Sequence, residues 1–229
     1  MKKQWVESQI DLLKRMVALY DKAVEHIEVK CQQKCSSCCT CNVTLTSLEA
    51  GFLIADLTQE EKKDLKTRIK QNFPQKRYIP KMTANMFARM CVEDKDIPEE
   101  ENDPSWGKCP LLVDDMCSIY DVRPFGCRAL MSQVHCREKG YARIPPIVLT
   151  INNLFLQYIE HLDQKGFFGN LSDMLTLFLS DNTIQSFSDP SKITNDGRFL
   201  FNEKIAVLMI PPEHREKLRP LLMKLSDLL

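Results

Sequence analysis

Glycine is scarce, with seven among 229 residues. That excludes the Gly-rich loops that cradle phosphates or dinucleotides, because those need several glycines in one short stretch. Neither sign of charge is in excess: 31 basic and 31 acidic side chains leave a formal net charge of zero. A nucleic-acid binder's bulk electrostatic footprint is therefore missing. No apolar run reaches the roughly 18 residues of a membrane-spanning helix. The opening stretch "MKKQWVESQIDLLKRM" has no apolar h-region, since Glu7, Gln9 and Asp11 interrupt it, and it does not read as a secretory signal. Those features predict a cytoplasmic protein, in a compartment where disulfides are rare. Of the four histidines, His26, His161 and His214 stand alone in helical patterns. There is no paired-carboxylate or Ser/His/Asp constellation.

Cysteine is what the chain does have. Five fall in eleven positions of "CQQKCSSCCTC", at Cys31, Cys35, Cys38, Cys39 and Cys41. A second group, Cys109, Cys117, Cys127 and Cys136, follows after residues 42–108, and Cys91 lies between. Ten cysteines are about 4% of the chain, below the roughly 8–10% of small disulfide scaffolds. The 44% of hydrophobic residues can build a core without staples. Thiolate sulfur selects zinc, cuprous copper or iron–sulfur clusters over hard cations. Zinc takes four ligands, commonly two from each of two loops, and Cys35 with Cys38 has half-site spacing. An iron–sulfur cluster also takes four cysteines, and proline directly after a ligand, as in Cys109-Pro110, recurs in ferredoxins. Cys31, Cys35 and Cys38 match the spacing of radical enzymes that cleave S-adenosylmethionine, but no strand–helix alternation follows to build their barrel.

The rest of the chain reads as mainly α: a helical domain with an irregular cysteine-rich metal-binding core. One amphipathic helix spans 4–28, with apolar residues every three or four positions from Trp5 to Ile27. "TSLE" (Thr46 to Glu49) and "TQEE" (Thr58 to Glu61) are capping boxes opening helices to about Asp56 and Gln71. Pro74 and Pro80 break the chain. Met82, Met86 and Met90 recur at helical spacing and read as core rather than as a copper site. The acidic stretch 93–107 reads as a solvated loop and the leading candidate for disorder. Residues 147–162 and 171–180 look helical and buried, and a last helix carries Pro220, which should kink or divide it. The expected organisation is a single domain, 1–229: an N-terminal helix to 30, a metal-binding core at 31–137, and a helical part at 145–229.

Residues 29–137 resemble a bacterial cysteine-cluster family of zinc- or iron-chelating domains. The resemblance rests on "CQQKCSSCC", then "VTLTSLEA", then "CPLL" and "CSIYDVRPFGCR". It implies metal at Cys31, Cys35, Cys38, Cys39, Cys109, Cys117 and Cys127, with Cys136 added as a plausible neighbour. Cys41 and Cys91 fall outside the pattern and read as small buried hydrophobes. Arg123 and Arg128 bracket Cys127 and are candidates to stabilise a negatively charged thiolate site, alongside Lys30, Lys34, Lys108 and Arg137. His135 adjoins Cys136 and is a candidate nitrogen ligand, although a solvated or core histidine is the commoner case. Related domains are associated with enzymes that methylate flagellin lysines, where an iron–sulfur centre is implied.

Three functions follow. The leading one is a metal-binding protein whose cysteine groups converge on an iron–sulfur or zinc site, for electron transfer or metal handling. The second is a cluster-dependent, methyl-transfer-like protein-modifying enzyme. The third is a structural zinc module for protein partners, in which metal binding is folding free energy. Nucleic acid and membrane are not among the expected partners.

Overall fold

The computed structural model describes residues 2–32, 34–180 and 196–228. The sequence reading of a helical C-terminal part extends over 181–195, which lie outside the described residues. About half of the structure is helical, but the architecture is mixed rather than mainly α. Helix α1 (Lys2–Val24) leads to strand β1 (Thr44–Thr46), α2 (Ser47–Ala55), α3 (Gln59–Gln71) and α4 (Ala84–Val92). The cysteine-rich hairpin β2 (Leu112–Val113) and β3 (Met116–Cys117) follows, then α5 (Phe125–Ala129) and α6 (Cys136–Lys139). Helix α7 (Pro146–Leu162), β4 (Phe167–Asn170), α8 (Leu171–Phe178), β5 (Phe199–Phe201) and α9 (Arg215–Leu228) complete the order.

A three-stranded antiparallel sheet in the order β1-β4-β5 corrects the mainly α expectation. Thr44 pairs with Asn170, and Phe167 with Phe201. Strands of three and four residues are too short to show the alternation by which a strand is recognised. Asn170, at the end of β4, accepts from the Ser172 amide and so caps α8, while its Nδ2 donates to the carbonyls of Cys41 and Tyr78. The central strand thus touches the cysteine run directly.

The core falls into two apolar clusters. One joins Leu13, Met16 and Tyr20 of α1 to Leu154, Phe155 and Ile159 of α7 and Leu218 and Leu225 of α9, with Phe125 of α5 among them. Tyr20 meets the rings of Phe125 and Phe155 edge-on, at centroid distances of 4.8 and 5.3 Å. Its hydroxyl donates to Asn152, which donates in turn to the Ala129 carbonyl. The second cluster gathers Leu45, Leu53, Leu65, Ile69, Met174 and Leu175 with Leu111, and Cys109, Ile119 and Val122 pack on it. The apolar letters of the cysteine motif therefore anchor its loops in both clusters.

Both capping boxes are present, with reciprocal side-chain and backbone bonds at Thr46/Glu49 and Thr58/Glu61. Helix α1 ends at Val24 rather than 28. Pro220 sits inside α9, which continues through it undivided. The acidic stretch is an exposed loop, as expected, but it makes specific contacts. Glu100 accepts from Tyr78 Oη and the Lys81 amide, both at 2.6 Å, and Asn42 Nδ2 donates to Asn102 and to the Asp103 carbonyl. Its acceptors thus meet donors from Asn42, Tyr78 and Lys81. Among the described residues, no helix is long and apolar enough to cross a membrane.

Candidate metal centre

The two cysteine groups are joined by backbone pairing. Thr40 and Lys108 form an isolated antiparallel bridge; the Cys109 amide donates to the Cys39 carbonyl and the Cys41 amide to the Gly107 carbonyl, each at 2.9 Å. Cys39 and Cys109 are therefore held side by side by the main chain. Upstream, turns closed by Cys35 N–H to Gln32 and Cys39 N–H to Ser36 coil the run into a compact loop.

The second group is built by a tight hairpin. Asp114 and Asp115 both adopt positive φ, 49° and 60°, the geometry of a two-residue primed turn. This pairs Leu112 with Cys117 and returns Cys117 close to Cys109, whose carbonyl accepts from the Leu112 amide. Ser36 Oγ donates to Asp115 at 2.6 Å, fastening the hairpin tip to the cysteine run. Cys127 comes from α5. There Phe125 is driven into the core and its amide donates to Glu49 Oε1 at 2.7 Å. The other Glu49 oxygen accepts from Thr46 N–H and Oγ–H. Glu49 therefore joins the start of α2 to the start of α5, and is a positioning residue for Cys127. Burial raises its carboxyl pKa, and those donors work against the rise.

The thiols of these segments sense one another. Burial pushes Cys127 up strongly, and the charges of Cys109, Cys117 and Cys38 add to it. Burial raises Cys109 to about 11, with Cys117 contributing. The neighbouring Cys38 and Cys39 thiols influence each other most, raising Cys38 and lowering Cys39. Cys31 is raised by burial, against a hydrogen bond from the Ser132 backbone, and it senses Cys35, Cys136 and Cys38. A cation would relieve this mutual repulsion, since a coordinating thiol is deprotonated outright. As they stand, no three His, Cys, Asp or Glu side chains among the described residues are gathered tightly enough to hold an ion. The donor set nonetheless fits zinc or iron in chemistry: soft sulfur, from several short loops that the backbone brings together.

Several expectations are refined. Arg128 donates to Asp21 of α1 at 2.9 Å and to the Asp121 carbonyl at 3.0 Å through its Nη atoms. Arg123 stacks on Tyr120 at 4.0 Å and donates to that residue's carbonyl. Both arginines brace the backbone that carries Cys127. Lys30 pairs with Glu28. His135 sits at the N-cap of α6 without a side-chain capping bond. Cys41 is buried, as expected, with its S–H toward Asn42 and the Lys76 carbonyl. Cys91 is exposed, not buried. Sequence reading missed Glu49 as a positioning residue: its capping box was visible, but the second oxygen's partner lies 76 residues away.

A family model described as "CxxCxxCC: Putative zinc- or iron-chelating domain" matches residues 30–146. Neither the curated proteins nor the solved structures gave a match.

Proposed function

This chain belongs to the CxxCxxCC family of zinc- or iron-chelating domains, and we propose that it holds an iron–sulfur centre or zinc through Cys39, Cys109, Cys117 and Cys127, in the service of electron transfer or metal handling. The observation that carries this reading is the Thr40–Lys108 bridge with the Cys109–Cys39 backbone bond, which places cysteines from both groups side by side. An iron–sulfur centre supplies electron transfer, whereas zinc supplies charge without redox change. The chain's own part is to present thiols at fixed positions: the hairpin presents Cys117, α5 presents Cys127, and Glu49 and Phe125 fix where α5 begins.

A purely structural role for the metal is the weaker reading. Backbone pairing, the Ser36–Asp115 bond and the Glu49–Phe125 bond already tie these segments together through protein groups. We place the protein in the cytoplasm, where reduced thiols are available as ligands, and read residues 1–229 as one domain.

The test is purification without oxygen, followed by iron, zinc and labile-sulfide analysis and a visible spectrum. A broad band near roughly 400 nm with matching iron and sulfide is expected for a cluster; a colourless protein with tightly held zinc is expected for the zinc form. Protein that retains neither metal, and takes up neither when reconstituted, would end this reading.

A further inference from the structure

We propose that the eight clustered cysteines form two thiol sites for soft divalent cations rather than one: an inner set of Cys39, Cys109, Cys117 and Cys127, and an outer set of Cys31, Cys35 and Cys136, with Cys38 at the boundary. This rests on the metal-binding reading above and divides it.

The two sets are assembled by different parts of the backbone. The inner one depends on the Thr40–Lys108 bridge, the Leu112–Cys117 register and the seat of α5 on Glu49. The outer one depends on a separate connection, in which the Lys30 amide donates to the Ser132 carbonyl at 2.7 Å. That bond lays the residue before Cys31 against the loop leading to Cys136. Ser132 fixes the loop by accepting from the Val134 and Arg143 amides at its own Oγ, while Gly140 in the left-handed region closes the short helix that Cys136 begins. Cys35 is returned toward Cys31 by its turn to Gln32.

Cys38, the exposed member of the C-C pair, lies between Cys35 and Cys39 along the chain and so at the boundary of the two sets.

Ligand number gives the two sets different properties. Four thiolates close a tetrahedron and retain their ion, while three leave a position open to solvent or to an incoming ligand. The inner set therefore retains metal, and the outer set exchanges it, with Cys38 available as a fourth ligand.

Cobalt(II), whose sulfur-to-metal charge-transfer absorption reports thiolate ligation, is the probe. Full-length apoprotein, wild type, Cys31→Ser/Cys136→Ser and Cys117→Ser/Cys127→Ser, is titrated anaerobically. The wild type is expected to bind about two equivalents and each double variant about one. The outer-set variant should keep the ion that resists a competing chelator. A wild type that binds about one equivalent, or loss of all binding in both variants, would overturn the two-site division while leaving metal binding intact. A wild type that binds no cobalt, zinc or iron would remove the functional reading itself. Alkylation of half-loaded wild-type protein, read by mass spectrometry, needs no variant to fold: Cys39, Cys109, Cys117 and Cys127 should be protected while Cys31, Cys35 and Cys136 still react. Uniform protection across both sets would overturn the proposal.

Discussion

Cys117→Ser/Cys127→Ser is expected to abolish the stability that metal held by the inner set contributes. If the native state alone binds the ion, free metal at 1,000 times Kd adds about 4 kcal/mol to unfolding. Wild-type protein should therefore show a large upward shift of its urea midpoint when metal is supplied. The double variant, left with Cys39 and Cys109 from the inner set, should lose the inner set's share of that shift and keep only the smaller part that the outer set supplies. The apo forms should differ much less, because serine retains the shape and Cys117 and Cys127 are only partly buried. Equal metal-induced shifts in the two proteins would exclude these two thiols as ligands. The measurement is paired urea unfolding, with and without zinc, under reducing conditions.

Asp173→Ala is expected to destabilise the protein by roughly 3–5 kcal/mol, the usual consequence of removing one member of a buried ion pair. The Asp173 side chain has no exposed surface, while that of Arg77 is 14% exposed. Arg77 donates to both carboxylate oxygens, Nε at 2.6 Å and Nη2 at 2.5 Å, and Arg198 adds a third bond at 3.1 Å. Arg77 is also stacked 4.6 Å from the Phe73 ring centroid, which limits its escape to solvent. Alanine would leave that guanidinium buried without its carboxylate. The pair Lys14–Asp56 is the control: its side chains are 48% and 82% exposed, so Asp56→Ala should leave the midpoint nearly unmoved. Equal effects from the two substitutions would contradict the burial argument.

Local chemistry was legible in the sequence, and long-range chemistry was not. Thr46 with Glu49 and Thr58 with Glu61 announced two helix starts because a capping box is complete within four residues. The cysteine motif was legible as that of a zinc- or iron-chelating family because ligand chemistry resides in residue type. The β1-β4-β5 sheet was invisible, since its pairing joins Thr44 to Asn170 across most of the chain. Arg128 looked like a companion of Cys127 because they are adjacent, yet its partner is Asp21 on the first helix. The contacts of Glu100 could not be read from the sequence because its donors, Tyr78 and Lys81, belong to an earlier segment. Cys91 shows the limit of composition: cysteine is often buried, but this one lies on an exposed helix position.

The central claim is that sulfur from the inner set holds the metal. X-ray absorption at the zinc or iron edge of protein purified without oxygen tests it most directly. The account expects chelator-resistant metal with a first shell dominated by sulfur, at about 2.3 Å for zinc, and no chelator-resistant metal in Cys117→Ser/Cys127→Ser. A shell of oxygen and nitrogen near about 2.0–2.2 Å, unchanged by that substitution, would contradict it.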